Sequence, residues 1–399
     1  MNKKRIVLIF TVLTSLLISF GFIPFNIKEV KKTALNKNSP NLIIILADDL
    51  GYADVGFNGC KDIPTPNINA ISDNGVKFTN GYVTFPVCGP SRAGLLTGRY
   101  QDRFGFTTNP TIDPENEKAG LPLEEEMISE ALQKANYNSA IIGKWHMGTH
   151  PIFHPLKRGW DYFFGFLSGG HNYFPEKLTL NDYSEVKWAY GWYSTRIMEN
   201  YNRIDINNYL TDELSDAAVK YIEKQSKLDQ QFMVYLSYNA PHGPLQATEK
   251  YLDRFPEINN EKRKTYAAMV SAMDDGIGRV LNTLKERNME ENTIVVFLSD
   301  NGGPIDKNAS KNDPLSGKKG DLFEGGVRVP FAMQWKGNIK KGMIYNNPIS
   351  SMDIMATICD LANVKTKNKL DGVNLIPFLK KEKKGVPHDV LFWRKWEQN

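Results

Sequence analysis

Two apolar runs end in residues able to hold a cation: Asp48 and Asp49 follow NLIIILA, and Asp300 and Asn301 follow TIVVFLS. Three carboxylates and an amide oxygen form a hard-oxygen set, suited to calcium or magnesium rather than zinc. Taken singly, either pair is better read as a helix cap or a turn. A metal is favoured if the fold brings both pairs together. A nucleophile candidate stands in VCGPSRAGLLTGRY, where Pro90 suits the first turn of a helix that starts near Cys88, and Arg92 lies on the same face. Unpaired N–H groups and the helix dipole would favour a thiolate there, or another group made from the cysteine. The alternative is a buried packing cysteine. Together these residues describe a nucleophile beside an arginine and a metal, acting on an anionic ester.

Bases and further cations follow. Lys144 and His146 are two apart, so an extended segment turns both to one side. One would hold an anion while the other moves a proton. His146, His150 and His154 recur every four residues, but Gly148, Pro151 and Pro155 break any helix there, so only His146 is assigned to the site. In NAPHGP, His242 is fixed between two prolines, as acid–base work or a structural turn would require. GKKGDLFEGGVRVP, residues 317–330, carries Lys318 and Lys319 in a Gly-rich stretch where the backbone can approach a ligand.

The elements that must position these groups are legible as well. Residues 41–49, 138–146, 231–242 and 292–301 are continuously apolar, as strands buried on both faces require. Residues 123–137, 209–225 and 262–287 have helical spacing. The alternation predicts an α/β fold with a mostly parallel central sheet flanked by helices on both faces. Each strand-like run ends in a reactive cluster, and in such sheets ligands bind beyond the carboxyl ends of the strands. One shared site is expected.

The 399 residues are 41% hydrophobic and 24% charged with a net charge of +4, an ordinary globular composition without the basic block of a nucleic-acid footprint. Cys60, Cys88 and Cys359 are too scattered for a disulfide framework or a cysteine zinc site, although a single bridge is possible. MNKKRIVLIFTVLTSLLISFGFIPF has a basic start and an apolar run over residues 6–23. It predicts an export signal and a periplasmic or extracellular protein; an uncleaved membrane anchor is the alternative.

The run from Cys88 through Pro90, Ser91 and Arg92 to Leu96, Thr97 and Gly98 resembles the signature C-x-P-S-R-x-x-x-L-T-G of the type I, formylglycine-dependent sulfatases of the alkaline phosphatase superfamily. ADDLGYADVG (47–56), GKWHMG (143–148), APHGPLQA (240–247), SDNGG (299–303) and KGDLFEGGVRVP (319–330) stand in that family's order. The resemblance implies that a formylglycine-generating or sulfatase-maturating enzyme oxidises Cys88 to formylglycine. Its hydrated gem-diol would attack the sulfur in line, then eliminate sulfate and restore the aldehyde. By the same resemblance, Asp48, Asp49, Asp300, Asn301 and residue 88 hold Ca2+, and Arg92 stabilises the diol. Lys144 and Lys319 bind sulfate oxygens, His146 assists elimination, and His242 with Lys319 protonates the leaving alcohol. In GWDYFFGFLSGGHNYF (159–174), His171 and Ser168 compete as a further sulfate contact, with His171 preferred.

The export signal and the NAPHGPLQA segment resemble carbohydrate sulfatases, which makes a sulfated carbohydrate the expected substrate. A phosphonate or phosphate ester hydrolase of the same superfamily and a non-catalytic sulfated-glycan-binding protein are the alternatives. Trp188, Tyr190, Trp192 and Tyr193 in KWAYGWYS would stack sugar rings or pack under a loop. The expected organisation is a signal or anchor over 1–26, a linker over 27–39, a sulfatase domain over 40–380 and the start of a C-terminal subdomain over 381–399. Family members continue past a strand such as VLFWR, so that subdomain is expected to be largely truncated.

Overall fold

The computed structural model describes residues 39–395. The expected signal or anchor, and all but the last residue of the linker, lie outside the described residues.

The strands are β1 (Asn41–Ala47), β2 (Val76–Phe78), β3 (Gly81–Tyr82), β4 (Asn138–Lys144), β5 (Tyr162–Phe166), β6 (Ile197–Glu199), β7 (Asn202–Ile204), β8 (Phe232–Ser237), β9 (Thr293–Ser299), β10 (Phe331–Gln334), β11 (Met343–Tyr345) and β12 (Ile349–Ser350). Ten of them form one sheet in the order β11-β2-β10-β9-β1-β8-β4-β5-β6-β7, while β3 pairs with β12. The centre, β9-β1-β8-β4-β5, is parallel. Antiparallel partners flank it: β10 on β9, and β6 with β7 beyond β5.

All seven residues of β1 are buried, which explains its unbroken hydrophobicity. Leu42, Ile44 and Leu46 face one core, and Ile43 and Ile45 the other. The first core takes apolar side chains from α2 (Cys88–Thr97), α3 (Ile128–Gln133) and α6 (Asp353–Leu361). The second takes them from α1 (Pro66–Asp73), α4 (Leu210–Gln225) and α5 (Glu261–Glu286). Each fully buried Leu or Ile contributes about 1.5–3 kcal/mol. This two-faced burial keeps the central strands in register, and so keeps their carboxyl ends level.

Two expectations change in detail. The helix anticipated over 123–137 is confined to Ile128–Gln133. The Glu130 carboxylate accepts the Met127 N–H at 2.8 Å and so caps the helix at that point, leaving Glu124–Glu126 outside. VLFWR is not a strand. The Phe392 N–H goes to the Tyr100 hydroxyl at 3.1 Å and Trp393 Nε1 donates to the Val83 carbonyl at 2.8 Å, so side chains anchor the segment in place of a ladder.

Candidate active site

The four clusters converge beyond the carboxyl ends of β1, β4, β8 and β9. Cys88 is the first residue of α2 and only 2% exposed. Its Sγ lies 3.4 Å from Asp48 Oδ1 and accepts from Lys319 Nζ at 3.2 Å. Lys144 Nζ donates to the other Asp48 oxygen at 2.6 Å, and Lys319 Nζ to Asp49 Oδ2 at 2.9 Å. Fully buried Arg92 donates through Nε to Asp300 Oδ2 at 2.9 Å and through Nη1 to the Ser237 hydroxyl. That hydroxyl donates to the Lys144 carbonyl at 2.8 Å, which ties the ends of β4 and β8 to α2.

The donor set fits a hard cation. Ligand atoms of Asp48, Asp49, Cys88 and Asp300 all lie within 4.8 Å of one another. Asn301 Nδ2 donates to Asp49 Oδ1 at 2.7 Å, while Asn301 Oδ1 is buried without a hydrogen-bond partner. An orphaned buried acceptor costs about 1–3 kcal/mol, a penalty that coordination would remove. Three crowded carboxylates and an amide oxygen suit calcium.

Charge and burial pull these groups in opposite directions. Burial, then Asp48, push the Asp300 carboxyl up to about 6 against Arg92 and Lys144. Burial also raises Asp49, but Lys319 and His242 outweigh it and hold that carboxyl well below the usual range. Burial pulls the Lys319 ammonium down, and Asp49 and Cys88 more than offset this, holding it well above its ordinary value. For Cys88, burial and then Asp300 push the thiol far up, although Lys144 and Lys319 oppose them. Burial and the neighbouring carboxylates thus act against the thiolate that a helix N-terminus would favour.

His146 leaves β4 at φ 58°, in the left-handed region. Burial, then Lys144 and Arg92, lower its pKa well below the usual imidazole range, and its Nδ1 has no partner. His242 is lowered to about 4 by burial despite Asp49. Its Nδ1 sits 2.6 Å from the Gly243 carbonyl, which assigns the proton to that nitrogen, and Nε2 lies 3.7 Å from Asp49 Oδ2. A cavity of about 860 Å³ lined by Tyr162, Glu199, Glu213 and Tyr221 shares no residue with this cluster.

A family model described as Sulfatase matches residues 40–364. The chain belongs to the sulfatase family. That family, in the alkaline phosphatase superfamily, consists of sulfuric ester hydrolases. The uncharacterized sulfatase YdeN of Escherichia coli (strain K12) is 33% identical, over 90% of this chain and 69% of its own length. N-acetylgalactosamine-6-sulfatase of Homo sapiens is 34% identical, over 85% of this chain and 66% of its own length. The chain thus spans about two thirds of the length of these relatives. Among solved structures, that of Ps i-CgsB in complex with k-i-k-neocarrahexaose has a TM-score of 0.82 at 42% identity, covering 86% of this chain and 77% of that one.

Within this sulfatase, Asp48, Asp49, Cys88, Arg92, Lys144, His242, Asp300, Asn301 and Lys319 form one connected cluster. Lys318 instead turns outward and pairs with Asp306, while Lys319, the lysine that the resemblance names, lies in the cluster. The histidine spacing is coincidental: His150 and His154 accept the Ile152 and Leu156 N–H groups through Nδ1. Ser168 donates to the Gly170 carbonyl at 2.8 Å, and His171 Nδ1 lies 3.0 Å from the Asn172 carbonyl. Both are committed to their own loop, although His171 Nε2 is buried without a partner.

All three cysteines are free, and Cys60 donates to Asp62. In KWAYGWYS, Trp192 packs against the core and Tyr193 is half-buried, whereas Trp188 and Tyr190 are exposed. Sequence reading missed Ser237, Asn308, which donates to the Asp49 carbonyl, and Gly169, where a Cβ would lie 2.5 Å from His146 Nε2. A serine closing an apolar strand was the one available signal.

Proposed function

We propose that this sulfatase hydrolyses sulfate esters of glycans, with residue 88 as formylglycine and Ca2+ held by Asp48, Asp49, Asp300 and Asn301. The observation that carries the reading is the contact of Cys88 Sγ with Asp48 and Lys319, inside a set of three buried carboxylates and an orphaned amide oxygen. Formylglycine supplies a hydrated aldehyde as nucleophile, and calcium supplies charge stabilisation for the sulfate and a lowered nucleophile pKa.

The chain's own groups do the rest. Lys144 and Lys319 point their ammonium groups into the site and hold sulfate oxygens by charge. Arg92, fixed by Asp300 and Ser237, keeps positive charge beside residue 88. His146 has a neutral imidazole at neutral pH and is suited to take a proton when sulfate departs. Lys319 and His242 stand beside the same Asp49, where together they protonate the leaving alcohol.

Sulfate release from neocarrahexaose, N-acetylgalactosamine 6-sulfate and an aryl sulfate tests the reading, beside an aryl phosphonate. The protein assayed is one whose residue 88 has been shown by peptide mass to be the aldehyde. Sulfate release from a saccharide with only weak phosphonate cleavage is expected. A large preference for the phosphorus ester, or saccharide binding without release, would overturn it.

A further inference from the structure

The rings of Trp188 and Tyr190 have no role in the chemistry or the core. Trp188 is 54% and Tyr190 is 65% exposed, although rings of this size are ordinarily buried for most of their area. Tyr190 adopts φ 61°, a left-handed backbone that a bulky side chain enters only at an energetic cost. Strain that displays a ring to water, where burial could not repay it, points to a ligand.

The exposed pair joins the active site through a short chain of contacts. Gly169 abuts His146, since a Cβ there would lie 2.5 Å from Nε2. The next residue, Gly170, abuts Tyr193, whose hydroxyl would lie 2.4 Å from a Cβ at that position. The Tyr193 ring centroid is 5.9 Å from that of Tyr190, and the Tyr193 N–H donates to the Tyr190 carbonyl at 3.0 Å. Trp188 closes the turn, accepting the Gly191 N–H at 3.0 Å. Burial and then Asp48 and Cys88 raise the Tyr193 hydroxyl, as expected for a ring within electrostatic reach of the cluster. Loop contacts through Gly169, Gly170 and Tyr193 thus link the His146 imidazole to the exposed Tyr190 ring.

A longer glycan carries its next ring away from the reacting sulfate, and the apolar C–H face of a sugar suits a flat ring with one wet edge. We propose that Tyr190, with Trp188 beside it, stacks a sugar ring adjoining the sulfated one, so that residues 188–193 select oligosaccharides over small sulfate esters. This rests on the glycan sulfatase reading.

The test compares Tyr190→Gly and the double variant Tyr190→Gly with Trp188→Ala against the wild type. Glycine removes the ring and relieves the left-handed backbone, so loss of folding is not expected; Tyr190→Phe retains the stacking face. Steady-state kinetics on neocarrahexaose and on an aryl sulfate give the ratio of their kcat/KM values. The ratio is expected to fall about tenfold in the double variant, through KM for the hexasaccharide, and to recover in Tyr190→Phe. An unchanged ratio, or an equal loss on both substrates, overturns the proposal.

Binding separates this claim from the one beneath it. In Cys88→Ala protein, the hexasaccharide Kd is expected to rise about tenfold on removal of the two rings, whether or not the wild type releases sulfate. Absence of turnover in the wild type would count against the sulfatase reading alone. Equal Kd values with and without the rings would sink the platform.

Discussion

Lys319 Nζ lies 3.2 Å from Cys88 Sγ and 2.9 Å from Asp49 Oδ2, although 231 residues separate the lysine from the cysteine. One ammonium thus touches both the nucleophile position and the metal set. The Gly-rich stretch before and after it makes this possible, with the Gly320 N–H donating to the Pro86 carbonyl at 2.9 Å just ahead of Cys88. Loop and helix start are held together by backbone as well as by charge.

Under the formylglycine reading proposed above, burial of Cys88 sets the order of maturation. A separate enzyme has no access to a side chain 2% exposed at a packed helix start, so oxidation is expected before folding. A maturating enzyme should convert an unfolded chain or a peptide spanning residue 88. It should leave folded, unmodified protein at its thiol mass. Conversion of the folded protein at the peptide's rate would contradict this.

Arg92 neutralises Asp300 where water cannot. Arg92→Ala leaves a buried carboxylate unpaired and is expected to cost about 3–5 kcal/mol in urea unfolding together with all activity. Arg92→Lys keeps the charge but not the fork that reaches Asp300 and Ser237, so activity should still fall sharply. An unchanged unfolding midpoint for the alanine variant would remove this role.

Metal removal has a sign that can be read without turnover. Three carboxylates and the orphaned Asn301 oxygen should gain from calcium, about 2.7 kcal/mol at a hundredfold excess over Kd. Chelation should therefore lower Tm and abolish sulfate release, and added calcium should restore both. A Tm indifferent to calcium in the Asp300→Asn variant but not in the wild type would locate the ion.

Gly169 is expected to matter for rate more than for folding. In Gly169→Ala the new methyl would stand 2.5 Å from His146 Nε2, so the imidazole must shift. A displacement of about 1 Å costs up to about a hundredfold in rate. The measurement is kcat beside the unfolding free energy; equal kcat would show that the His146 position is not critical.

His154 makes a stability prediction independent of the active site. Burial lowers its pKa to about 4, and its Nδ1 accepts the Leu156 N–H, a bond that protonation would break. The unfolded chain binds this proton near pH 6.5 and the folded chain near pH 4, so the contribution is complete above 6.5 and is lost as pH falls through that window. His154→Asn keeps a capping acceptor without titrating, and its urea midpoint should vary less between pH 7 and 4. Identical pH profiles would exclude this residue.

The sequence by itself determined the strands and most of what stands at their ends. Continuous apolar runs need burial on both faces, and that requirement is local, so β1, β4, β8 and β9 were legible with Lys144 closing β4 and Asp48, His242 and Asp300 beyond the other three. The signature around Cys88 was legible for the same reason, because it lies within one helix. Only the tertiary structure placed Ser237 between Arg92 and Lys144, turned Lys318 out to Asp306 and set Gly169 against His146. It alone showed that burial and then Asp300 raise the Cys88 thiol. These outcomes depend on distances between residues far apart in the chain, and desolvation depends on everything packed around a group, which no spacing within one segment encodes.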